Sequence, residues 1–284
     1  MLDYVRMASR LSIEQVLLTT FEGQQLQRDS DMKQRMRSAV TTLHCVRDEA
    51  RAAGHRVSSS IRRAFCERIL PEHCEIFAPM LVVPLEAFLA FGAVPRSSDG
   101  LGVSVDTLPE DAMVVLVSHR WLRPVSNPAH PDDEHGTKFA QICSILAAAT
   151  QGAAAGKPTY VWIDFASIEQ DDCAVLLKGV SSLPLYVQCV DIFISLSNHE
   201  EYYDRAWCRL EVLFAKASFD TSRLPQMYEP PSETDSNLKT HRAISDDTIA
   251  ELVQPEMVRT ARLSCESDRH MVSFLSTQAS VLRT

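Results

Sequence analysis

Two sets of residues in this chain have the types and the spacing to do chemistry. One is contiguous: AHPDDEHG, Ala129 to Gly136, packs His130, Asp132, Asp133, Glu134 and His135 into six positions, a density of imidazole and carboxylate donors suited to a divalent metal. The other is dispersed over four motifs. LVSHRW delivers Ser118, His119, Arg120 and Trp121; VWIDF delivers Asp164; IFISLS delivers Ser195; EEYYDRAWCRLE delivers Tyr202, Trp207 and Glu211. Polar residues closing an apolar run are where a parallel sheet presents its ligand loops, so these motifs are candidate walls of one cleft. In the last of them Trp207 and Glu211 stand four apart and share a helix face.

The elements that must carry these residues follow from periodicity. Ser12 and Gln15 form a capping box that opens a helical stretch over 12–53, in which Met32, Met36, Ala39, Leu43, Val46, Ala50 and Ala53 make one stripe that Gly54 ends. Such a stripe serves as ordinary core more often than as a partner-binding face. Ser60 opens a shorter helix through Ile69, stopped by Pro71. From about residue 79 the texture becomes short apolar runs alternating with helical segments. Met113 to His119, Thr159 to Phe165 and Val190 to Ser197 read as strands buried on both faces, with helical segments between them. Met257 to Cys265 reads as a further strand and Glu266 to Ala279 as a closing helix. The expected architecture is an α-helical N-terminal region, 1–78, followed by an α/β domain, 79–284, with a flavodoxin-like parallel sheet, flanking helices and an irregular insertion at about 218–247.

Composition narrows the partners. Residues 1–70 hold 12 Lys/Arg against 8 Asp/Glu, leaving 16 against 29 in the remainder, and an acidic body argues against nucleic acid. The longest greasy segment, Met80 to Val94, is broken by Pro84 and Glu86 and falls short of the roughly 20 apolar residues of a membrane span. The N-terminal sequence shows no secretory pattern and the eight cysteines form no C-x-x-C pair, so reduced thiols and a cytoplasmic location are the expectation.

Taken in order, LVSHR, VWIDF, IFISLS and AWCRLE resemble the motifs of Toll/interleukin-1 receptor (TIR) domains over about residues 112–217, closer in pattern to the plant type. Many plant, bacterial and axonal members of that family cleave NAD between nicotinamide and ribose. The resemblance implies that Glu211 is the catalytic glutamate, stabilising an oxocarbenium-like centre as nicotinamide leaves by hydrolysis or cyclisation, with NAD as substrate, no further cofactor, and self-association completing the site. It also implies that Arg120 faces the diphosphate and that Trp121 or Tyr202 stacks on a ring, with Ser118, His119, Asp164, Ser195 and Trp207 around them. Two features set this chain apart: Trp121 stands where plant-type domains have glycine, and the loop Glu169 to Asp172, EQDD, is acidic where a diphosphate would approach. An alternative is a non-catalytic TIR-like interaction module whose N-terminal helices meet a protein partner. AHPDDEHG, in turn, is similar to the ligand motif of metal-dependent de-N-acetylases of the GlcNAc-phosphatidylinositol type, which makes a metal-dependent hydrolase using His130, Asp132 and Asp133 the third reading. Its setting, between the turn-forming RPVSNP and a helix, instead favours a helix cap, because acidic residues pair well with the unpaired amides of a first turn.

Overall fold

The computed structural model describes residues 30–124, 129–150, 156–196, 200–218, 254–264 and 266–279. The expected helical stretch 12–29 and the insertion at 218–247, apart from Ser218, lie outside them.

Residues 30–52 form helix α1. The methionine stripe is core: Met36, Ala39, Leu43, Val46 and Ala50 are buried, whereas Met32 is half-exposed and Ala53 exposed. Gly54 ends the helix at φ 69°, a left-handed conformation that lets the His55 amide reach the Ala50 carbonyl at 2.8 Å. Helix α2, Val57–Ala64, starts three residues earlier than the Ser60 pattern suggested and does not stop before the proline. A π-turn, Phe65–Ile69, leads into α3, Leu70–His73, so that Pro71 falls in a first helical turn where its missing N–H is tolerated.

A five-stranded sheet follows, built from β1 (Leu81–Pro84), β2 (Val103–Ser104), β3 (Met113–Ser118), β4 (Thr159–Trp162) and β5 (Ile192–Ser195) in the order β2-β1-β4-β3-β5. Strand β3 is parallel to both β4 and β5, as the three apolar runs imply. The sheet is mixed rather than parallel throughout, because β1 and β2 add an antiparallel edge beside β4. Helix α4, Leu85–Phe91, leaves β1 directly, which is why strand and helix merge in one greasy run of sequence. Helix α5 (Thr137–Thr150) and α7 (Cys173–Cys189) make the crossovers, and a single turn, α6 (Asp164–Ser167), replaces the predicted end of the second strand. After β5 come α8 (Glu200–Tyr203) and α9 (Ala206–Ser218). The predicted strand Met257 to Cys265 is instead helix α10, Pro255–Thr260, followed by a bridge pairing Arg262 with Arg205; the expected closing helix is present as α11, Arg269–Gln278.

Period-two alternation divides the core. Val114, Leu116, Trp162 and Phe193 face a layer of α1, α2, α7, α9 and the C-terminal helices, while Val115, Val117, Val161, Ile163, Ile192 and Ile194 face α4 and α5. The N-terminal helices and the sheet therefore share one cluster. No described helix is long and apolar enough to cross a membrane.

Asp191, just before β5, fastens the helical layer to the sheet. Its carboxylate accepts from Arg56 at 2.7 Å, Arg62 at 3.0 Å, the Val114 amide at 2.9 Å and the Ser58 hydroxyl. Arg62 also donates to the carbonyls of Cys189 and Ala112. Replacing Asp191 by Ala leaves two arginines facing a desolvated gap; a loss of about 3–5 kcal/mol is expected, read from urea unfolding of the two proteins side by side.

Candidate functional site

The sheet delivers the dispersed motifs to one edge. Strand β3 ends at Ser118 and β5 at Ser195, directly paired with each other. Tyr202, on α8, is fully buried above both, its hydroxyl 2.5 Å from Ser118 Oγ and donating to Ser195 Oγ at 3.3 Å. These three residues tie two strands to α8 and sit behind the cleft, not in its wall.

Beyond Ser118 the chain turns outward. The His119 ring shares a 3.0 Å hydrogen bond between Nε2 and Asp164 Oδ1, and Trp121 donates its indole N–H to Asp164 Oδ2 at 2.8 Å. Asp164 also accepts the Phe165 amide at 2.7 Å. Burial alone would raise its pKa, but the His119 charge and hydrogen bond, the Trp121 bond and the Phe165 amide together outweigh that and hold it below the usual range. Asp164 is a fixed anion.

Glu211 behaves in the opposite way. It projects from α9 into the buried layer, 8% exposed, and its pKa is pushed up to about 8, first by burial and then by the nearby Asp164 charge, with the Ser118 hydroxyl partly offsetting both. Two neighbouring carboxyl groups thus hold different protonation states at neutral pH, an arrangement that assigns distinct acid and anion roles. Cys208, one turn earlier, is no nucleophile: burial pushes its thiol well above the ordinary value, with Glu211 adding to the rise, and its Sγ lies against the His119 carbonyl at 3.6 Å.

A cavity of about 340 Å³ opens at this edge between α7 and α9, within the range of small-molecule sites. His119, Arg120, Trp121, Asp164, Trp207 and Glu211 all line it. Of the sequence-derived candidates, Ser118, Ser195 and Tyr202 do not. Trp207 is held by a 3.1 Å bond from its indole N–H to Asp268, so the C-terminal segment contributes one wall. Spacing could not have identified Asp268, Arg205, Trp162 or the aliphatic face of α7 as lining residues, because they meet the motifs only through tertiary packing. A buried Trp at the end of a central strand was the one signal present for Trp162.

The cavity lining carries charged groups of both signs. Asp164 and Glu211 are its carboxyl groups. Arg120 and Arg205 contribute cations; the Arg205 guanidinium is held below its usual pKa by burial, with Arg262 and Arg120 lowering it further against an opposing pull from Cys208. The charges of the acidic loop are engaged in local contacts. Asp171 pairs with Arg96 at 2.6 Å, Asp172 caps α7 by accepting from the Ala174 and Val175 amides, and Glu169 accepts the Asp171 amide. The loop residue lining the cavity is the neutral Gln170.

AHPDDEHG lies elsewhere. Asp132 accepts the Lys138 and Phe139 amides at 2.7 and 2.8 Å, and Asp133 accepts those of His135 and Thr137, which draw its pKa down to about 2 with Thr137 the larger cause. His130 Nδ1 accepts the Asp132 amide while the ring packs on Phe165. The segment caps α5, and among the described residues no three metal-ligating side chains converge.

The raised pKa has a consequence for folding. Between the ordinary glutamate value of 4.5 and about 8 the unfolded chain loses the Glu211 proton while the folded chain keeps it, so stability falls as pH rises through that window. The parent is expected to lose stability relative to Glu211→Gln by about 1 kcal/mol per pH unit from pH 5 to 8, measured by denaturant unfolding at each pH.

No family model, no curated protein and no solved structure matches this chain.

Proposed function

We propose that this chain is a TIR-like NAD nucleosidase that cleaves the bond between nicotinamide and ribose, with Glu211 as the catalytic carboxylate. The observation that carries the reading is the placement of Glu211. It stands on the cavity wall, buried, next to a fixed anion and four residues after a Trp that lines the same cavity. The charged groups of both signs in the lining support it as well. NAD offers a cationic pyridinium beside an anomeric carbon that becomes more positive as nicotinamide departs, and a diphosphate at its middle. Asp164 and Glu211 suit the first; Arg120 and Arg205 suit the second.

In this mechanism the pyridinium lies against Asp164 and Glu211 and favours loss of the Glu211 proton, as any opposite charge does. The resulting carboxylate faces the ribose and stabilises positive charge at C1′ while the C–N bond breaks and its electron pair leaves with nicotinamide. Asp164, immobilised by His119 and Trp121, keeps the site negative without needing to change protonation. Water or a nitrogen of the adenine ring then completes the bond to C1′, giving a linear or a cyclic product. Leu177, 53% exposed and lining the cavity, offers an apolar contact for a second copy, which fits the assembly dependence of this reading.

The test is nicotinamide release from NAD by the purified chain at high protein concentration. Glu211→Gln is expected to lower the rate by about 10²–10³; equal release by both proteins overturns the assignment. Because the ionised carboxylate is the working form, kcat/KM of the parent is expected to rise with pH and level off above about 8, the value of the free protein.

Leu89 and Phe91, each 45% exposed on α4 on the opposite side of the sheet, also suit a module that binds a protein and turns over nothing. Concentration-dependent association with no nicotinamide release at any concentration selects that second reading.

A further inference from the structure

The chain contains three tryptophans, and all three line the cavity. Two of them have their indole N–H committed, Trp121 to Asp164 and Trp207 to Asp268. Trp162 differs. It is 1% exposed, and its Nε1 has no hydrogen-bond partner among the described residues. A buried donor left unmade costs on the order of 1–3 kcal/mol, so such a group persists where something arrives to accept its proton.

Its position explains what could arrive. Trp162 is the last residue of β4 and pairs with Leu116 of β3, two residues before Ser118, so its side chain rises from the same sheet face as the Ser118 hydroxyl that reaches Glu211. The ring is wedged against Tyr186 of α7, 6.0 Å between centroids, and Tyr186 is itself anchored by its hydroxyl to the Ala78 carbonyl at 2.9 Å. Around it α7 contributes Leu176, Val180 and Leu183, so the surroundings are aliphatic. One fixed donor in an apolar floor is the design of a site that orients a flat ring carrying one acceptor.

We infer that Trp162 is a specificity-determining residue whose indole N–H recognises a carbonyl oxygen on the group entering the cavity floor. Resting on the nucleosidase reading, that oxygen is the carboxamide oxygen of the nicotinamide ring. A site built to donate to a carbonyl rejects an analogue lacking it, because the donor is then buried without a partner. Discrimination of about tenfold or more is expected from one such bond.

The experiment uses two probes on the full chain, nicotinamide and 3-methylpyridine, which keeps the ring and lacks the acceptor. Binding is followed by the three indole N–H resonances in a nitrogen-15 correlation spectrum, the Trp162 signal being the one lost in Trp162→Phe. The expected result is that nicotinamide moves the Trp162 signal and 3-methylpyridine does not, that the parent prefers nicotinamide by about tenfold or more, and that Trp162→Phe binds the two alike. If nicotinamide binds with the Trp162 signal unmoved and the preference survives in Trp162→Phe, the inference is overturned while the nucleosidase reading stands. If the parent binds neither probe, the nicotinamide reading fails and this inference fails with it. Assigning the other two signals with Trp121→Phe and Trp207→Phe leaves Trp162 as the third, so the parent spectrum decides the matter even where Trp162→Phe does not fold.

Discussion

Tyr202 is where the architecture of the site is decided. Its hydroxyl, fully buried, holds the last residues of β3 and β5 together through Ser118 and Ser195, and the Leu196 amide reinforces the seam by donating to the Ser118 carbonyl at 2.9 Å. Strand ends are ordinarily where a sheet frays, since ladder partners run out; here a phenol substitutes for the next rung. With α8 pinned there, the chain has two residues in which to turn into α9. The Arg262 segment locks that turn from outside, its amide donating to Asp204 and its carbonyl accepting from Ala206. The start of α9, and with it the depth at which Glu211 sits, follows from these bonds.

Depth is what gives Glu211 its chemistry. A glutamate two turns into an exposed helix would titrate as an ordinary surface acid. At 8% exposure, facing Ser118 and sensing Asp164, it keeps its proton past neutrality. The same desolvation silences Cys208 and Tyr202, whose ionised forms are pushed far out of reach, so of the two carboxyl groups lining the cavity Glu211 is adjustable and Asp164 permanent. Asp164 is permanent because three donors surround it. The site is therefore built less from unusual residues than from unequal solvation of common ones.

Much of this was legible in the sequence, for physical reasons that also mark its limits. Strand β3 is buried on every residue, and a continuous β-branched run reports that condition directly. The polar residues closing the central strands, and Trp207 with Glu211 one turn apart, point to the sheet edge at which the cavity opens. Periodicity failed where elements are short or composite. Strands of four and two residues at the antiparallel edge leave no pattern separable from α4, and Pro71 looks like a stop unless the π-turn ahead of it is foreseen. The strand expected over Met257 to Cys265 is replaced by a helix that Pro255 starts, in which Val258 alone is buried. AHPDDEHG has a composition shared with metal sites, but its place before a helix points to a cap, and its carboxylates face backbone amides of α5.

The central claim is that Glu211 is a carboxyl group held neutral by burial and made anionic by a cation in the cavity. Carbon-13 detection of the Glu211 carboxyl across a pH titration, assigned with Glu211→Gln and run with and without N1-methylnicotinamide as a cationic ring that carries no ribose to cleave, measures this directly. The account predicts a midpoint near 8 in the free protein that moves down when the cation is present. A midpoint near the ordinary 4.5, or one near 8 that the cation leaves unmoved, would contradict it.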